Sequence, residues 1–110
     1  MDVDNFKTIN DSYGHLQGDK VLCNVANAIS SASRESDIVS RWGGDEFVIV
    51  LPFTAFIDAQ KFIERLIENL NEIEVSCGLA ELQENENIDQ LLTRADKSMY
   101  EVKAKKKQHT

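Results

Sequence analysis

The sequence is 110 residues long, 42% apolar and 28% charged, the proportions of one globular domain with a core of its own. A net charge of −7 argues against a nucleic-acid binder, and the longest apolar run, Phe47 to Phe53, is too short to cross a bilayer. No basic-then-apolar leader opens the chain, so a cytoplasmic location without membrane contact is expected for this segment, whether or not the parent protein is membrane-anchored.

The chain opens on DVDNFKTIN, an extended stretch with Asp2 and Asp4 on one face, followed by about one helical turn. A helix is predicted over 16–32, with Leu22, Val25, Ala26 and Ile29 on its inner face. SDIVSRW and EFVIVL read as two strands of an antiparallel hairpin, with GGD as the turn and Pro52 as the stop. The second of these strands is apolar on both faces, which predicts a central place with cover above and below. A helix over 55–71 carries the stripe Ala59, Phe62, Ile63, Leu66, Ile67 and Leu70. EVSCGLAEL reads as a further strand and QENENID as a polar connection. The last helix aligns Ile88, Leu91, Leu92, Ala95, Met99 and Val102. Helices interleaved with a hairpin predict a single α/β layer fold on a largely antiparallel sheet. Cys23 and Cys77 have neither paired spacing nor histidine partners and read as buried free thiols.

Charge is unevenly spread: residues 101–110 hold four lysines and one glutamate in an otherwise acidic chain. A lysine-rich helix end complements the helix dipole, and it also suits a phosphate ligand. Two carboxylates on one face of an extended segment repel unless a cation or proton lies between them, and an oxygen-rich cluster of this kind suits Mg²⁺. On the residues alone, DVD also fits a solvated surface, and GGDE fits a hairpin turn with solvated acids.

Four segments taken in order, DVDNFKTINDSYGHLQGD, RESDIVSRWGGDEF, VSCGLA and RADKSMYEVK, resemble the GGDEF domains of the diguanylate cyclase family over Asp2 to about Lys107. The resemblance implies an α/β (α+β) fold of the nucleotidyl-cyclase, polymerase-palm type, with helices around an antiparallel-centred sheet. It also implies that residues 1–110 are one GGDEF domain lacking roughly its N-terminal quarter, with the first helix and most of the first strand absent and Asp2 prone to fray. Members condense two GTP into cyclic di-GMP, one GTP on each of two domains meeting face to face, so a second GGDEF domain is an implied partner.

Position by position, the resemblance implies that Asp2, Asp45 and the Val3 carbonyl hold two Mg²⁺ ions, with Mn²⁺ as a substitute. Asp45 or Glu46 would accept the proton of the attacking hydroxyl, and Lys7 would face the phosphates. Asn10 and Asp19 would read guanine, with His15 lining the pocket, and Gly43 and Gly44 would let backbone pass close to the nucleotide. Lys103 and Lys107 would contact the triphosphate. Where the family has glycine and then arginine this chain has Lys106 and Lys107, and lysine cannot form arginine's bidentate fork, so weaker phosphate binding is expected there. Arg34 and Asp37 resemble the inhibitory R-x-x-D motif that binds the product dimer. The alternative is a non-catalytic module that senses GTP or cyclic di-GMP.

Overall fold

Strand alternation sorts the first residues onto opposite faces, and the tertiary structure is built around that division. The structure, a computed structural model, describes residues 1–108. Its elements in chain order are β1 (Asp2–Val3), α1 (Phe6–Tyr13), α2 (His15–Ala32), β2 (Ile38–Trp42), β3 (Glu46–Val50), α3 (Phe56–Leu70), β4 (Val75–Ser76) and α4 (Ile88–Gln108). The four strands form one antiparallel sheet in the order β2-β3-β1-β4. Asp2 stands opposite Glu46 on one side and Ser76 on the other. Directly opposed residues share a face, so Val3, Phe47 and Val75 lie together on the other face. There they join Leu22, Val25, Ile29, Phe62 and Leu66 of α2 and α3 in the main core. Lys103 and Lys106 of α4 bond to Asp2 and Asp4, so this helix covers the acidic face.

The antiparallel-centred α/β architecture and the helix boundaries agree with the sequence expectation. Asp2 is not left to fray. The Met1 ammonium donates to the Phe47 carbonyl at 2.9 Å, the Phe47 N–H donates to the Met1 carbonyl at 2.8 Å, and β4 pairs on the opposite side.

Several local expectations are corrected. The turn after Asn5 is an eight-residue helix, α1. Only Val75–Ser76 of the strand expected over 74–82 forms a ladder, because β1 is two residues long and gives Gly78 to Leu82 no partner to bond. For the same reason β3 runs past β1. Between β3, the 78–82 segment and α4 lies a groove of about 760 Å³ lined by Met1, Val48, Val50, Leu79 and Leu92, which leaves Val50 42% exposed where cover was expected. On α3, Ile67 is 45% exposed because it lies beyond the edge of the buried stripe. On α4, Met99 alone is buried and Ile88 is 60% exposed. Both cysteines are free, but Cys23 is exposed: it follows Leu22 by one residue and so falls about 100° off the buried face of α2.

A reciprocal cap starts α4. Asn87 Oδ1 accepts the Gln90 N–H at 2.8 Å, and Gln90 Oε1 accepts the Asn87 N–H at 3.0 Å. Just upstream, Glu86 accepts two bonds from Arg94, which also donates to the Glu81 carbonyl. The Arg94 hydrogen bond holds the Glu86 carboxyl below its ordinary value of 4.5, against the opposing effect of burial. A depressed acid contributes stability above its unfolded value, and that stability is lost as pH falls through the folded value. Glu86→Gln is therefore expected to melt below the wild type at pH 7, with the gap closing as the pH is lowered below the ordinary value of 4.5 and through the depressed folded value. Thermal melts across that range measure it, and a gap independent of pH would contradict the ionic role.

Candidate active site

The turn between β2 and β3 brings carboxylates to the sheet's central strand. Gly43 adopts φ +72°, a conformation that a side chain disfavours, and the turn delivers Asp45 beside β1. Arg41 clamps it by donating to the Gly44 carbonyl from Nη2 at 2.8 Å and from Nε at 3.2 Å. The Asp45 carbonyl accepts the Val3 N–H at 3.1 Å. Arg41 has no place among the residues expected from sequence. Its only sequence signal is that it lies three residues before Gly44.

Asp2 and Asp45 come close enough for their side chains to interact. Burial first, then the hydrogen bond with Asp2 and its like charge, raise the Asp45 carboxyl above its ordinary value, against the Asp45 backbone and Lys103. Lys103 Nζ donates to Asp2 Oδ2 at 2.5 Å across 101 residues of chain. Burial works against the Lys103 ammonium, but the Asp2 hydrogen bond and the charges of Asp2, Asp4 and Asp45 outweigh it and raise its pKa. The buried Asp2 Oδ1 has no donor among the described residues, and a proton shared with Asp45 or an added cation would satisfy it.

That orphaned oxygen, the adjacent carboxylate and a nearby backbone fit a hard cation. A hard cation of this kind takes one or two carboxylates and fills its other positions with phosphate and water. Val3 is 1% exposed with its side chain in the core, so it can serve only through its carbonyl.

Glu46 stands opposite Asp2 on the same face and also borders the apolar groove. Asp2, Asp45 and Lys103 do not line that groove.

Of the expected guanine pair, Asn10 is held against α2 by helix packing. A Cβ at Gly18 would lie 1.8 Å from Asn10 Oδ1, so Asn10 of α1 sits directly against α2, one residue before Asp19. Lys7, His15 and Asp19 are exposed on these helices. Because the obstructing atom is the end of a side chain, Gly18→Ala is expected to displace Asn10 rather than the helix. With Asn10 in the guanine-reading role that the resemblance implies, it should weaken guanine-nucleotide binding about ten-fold with little change in melting temperature, read by fluorescent GDP titration beside a thermal melt.

Arg34 and Asp37 form a clamp. The Arg34 N–H donates to Asp37 Oδ2 at 2.8 Å, the Asp37 N–H donates to the Arg34 carbonyl at 3.0 Å, and Arg34 Nη2 reaches Pro52 O and Thr54 Oγ1. The Asp37 side chain is 1% exposed and that of Arg34 59%. This pair lies on the turn from α2 to β2, apart from the Asp2–Asp45 cluster.

The family profile described as "Diguanylate cyclase, GGDEF domain" matches residues 1–109. The chain is a member of the GGDEF family.

This GGDEF domain is 42% identical over 111 residues to diguanylate cyclase DgcM of Escherichia coli (strain K12), covering 94% of this chain and 27% of that one. It thus spans about a quarter of that curated relative's length. Among solved structures it resembles the active GGEEF domain of a diguanylate cyclase from Vibrio cholerae, with a TM-score of 0.89 and 32% identity over 94% of this chain and 73% of that chain. It also resembles the GGDEF domain of DgcB from Caulobacter crescentus in complex with c-di-GMP, with a TM-score of 0.88 and 32% identity over 94% and 68% of the two chains. GGDEF diguanylate cyclases are generally metal-dependent. Among the described residues no helix is long and apolar enough to cross a membrane.

Proposed function

We propose that this domain condenses two GTP into cyclic di-GMP and two pyrophosphates. The observation that carries this reading is the meeting of Asp2 and Asp45 at the centre of the sheet, with a donorless Asp2 oxygen and Lys103 beside them. In each half-reaction the 3′-hydroxyl of one GTP attacks the α-phosphorus of the other. The bond to pyrophosphate breaks, and the hydroxyl proton passes to Asp45 or Glu46, both beside Asp2.

Two Mg²⁺ ions held by Asp2, Asp45 and the Val3 carbonyl would neutralise the triphosphate and acidify the hydroxyl. Lys103, Lys107 and Lys7 meet the phosphates as point charges. Asn10 and Asp19 face the guanine edge, an amide that donates and accepts beside a carboxylate that accepts from N1–H and the exocyclic amine. His15 lines that pocket, and Gly43 and Gly44 keep the loop free of side chains near the nucleotide. Because each domain holds one GTP, a second GGDEF domain completes the site. Cyclic di-GMP is both product and inhibitor, bound by the exposed Arg34 guanidinium, which Pro52 O and Thr54 Oγ1 hold at the surface while Asp37 fixes the Arg34 main chain.

The test is incubation with GTP and Mg²⁺ at high protein concentration, with product resolved by chromatography. Cyclic di-GMP that disappears when the metal is chelated supports the enzyme. A second reading, a non-catalytic sensor, draws on the Arg34–Asp37 clamp, which is braced independently of the acidic cluster. Absence of product, together with cyclic di-GMP binding lost in Arg34→Ala, would favour it.

A further inference from the structure

Two lysines of α4 reach two acids at the start of the chain, Asp2 on β1 and Asp4 just after it. Lys103 and Lys106 are one helical turn apart, about 4.5 Å along the axis, and they reach Asp2 on β1 and Asp4 in the turn that follows it. Lys103 bonds Asp2, which belongs to the proposed metal pair. Lys106 bonds Asp4, which does not. Its Nζ donates to Asp4 Oδ2 at 2.7 Å and to the Val75 carbonyl at 2.7 Å. Asp4 Oδ1 accepts the hydroxyl of Ser76 at 2.7 Å. Ser76 is 0% exposed, the Asp4 side chain 10% and the Lys106 side chain 44%, so this bracket ties a half-exposed lysine of α4 to an enclosed Asp4–Ser76 pair at the end of β1 and on β4.

We infer that Lys106 is a positioning residue, anchoring the end of α4 to Asp4 so that Lys103 faces the nucleotide's phosphates. The inference rests on the reading of the site given above. When phosphates and cations arrive at Asp2, Lys103 exchanges its carboxylate partner for a phosphate oxygen. That exchange needs the helix backbone to stay in place, and the bracket one turn on keeps it there, because Asp4 and the Val75 carbonyl are not consumed by the ligand. Lys105 carries the same charge on the same turn without such a contact among the described residues, so it separates position from charge.

The test is titration of this chain with a fluorescent GTP analogue (mant-GTP) in Mg²⁺, well below the melting temperature. Lys106→Met is expected to weaken binding about five-fold, Asp4→Asn by a similar factor, and the double variant no further. Lys105→Met should stay within about two-fold of the wild type, and Lys106→Arg, which can reach the same acceptors, should restore affinity. A wild type that binds while Lys106→Met matches Lys105→Met would overturn the positioning role and leave the GTP reading standing. A wild type that does not bind would overturn both.

Discussion

Asparagine at position 45 is expected to lower cyclic di-GMP formation by at least about a thousand-fold while making the metal-free chain more stable at neutral pH. The two effects share one cause. The Asp45 carboxyl is raised by burial and by the hydrogen bond and charge of Asp2, so its ionised form is held at a cost in the folded state. For a raised acid, that cost is absent below the unfolded value of 3.8, grows as pH climbs through the raised folded value, and stays in full above it. Asparagine keeps the shape and removes the repulsion. The loop is spared, because the bond to the Val3 N–H comes from the main-chain carbonyl and Arg41 grips Gly44. Removing the carboxylate also removes half of the acid pair that would bind the cation, so the stability that Mg²⁺ adds to the wild type should vanish. Melts with and without Mg²⁺, beside a product assay, measure all three effects. An active Asp45→Asn variant would dismiss this carboxylate from the chemistry, and equal metal-free melting would dismiss the repulsion.

Gly78→Ala is expected to destabilise the domain by about 3 kcal/mol, or roughly 10–20 °C in melting temperature. A Cβ there would sit 2.1 Å from the Ala95 carbonyl oxygen and 2.4 Å from the Met99 nitrogen, both backbone atoms of α4. No rotamer relieves such a collision, so the helix has to move away from the sheet. That movement lifts Met99, which is 2% exposed, and it lengthens the ion pairs that Lys103 and Lys106 make one and two turns later. Gly18→Ala meets the end of a side chain instead, which explains the contrast expected between the two substitutions. A thermal melt of Gly78→Ala that overlays the wild type would show that α4 is not seated on this glycine.

Much of the candidate site was legible because its chemistry lies in short contiguous runs. GGDEF places two acids and a turn within five residues, and DVD sorts its acids onto one face by period alone. Arg34 and Asp37 are close enough along the chain for their clamp to be local. What was not legible depends on distant neighbours. Cys23 looked buried from its apolar surroundings, but the rotation of α2 against the core turns it outward. The strand expected over 74–82 has the right residues, yet a ladder needs a partner opposite, and β1 reaches only far enough to pair Val75 and Ser76.

The sequence by itself determined the three long helices, the β2–β3 hairpin and where the glycines open its turn, because these follow from the backbone and from residues a few positions away. Only the tertiary structure decided that Lys103 would meet Asp2 and Lys106 would meet Asp4, 101 and 102 residues away, and that Asn10 would rest on Gly18. Such meetings depend on how α4 crosses the sheet and how α1 packs on α2. Those crossings are set by the sum of many weak packing contacts, which no local period encodes.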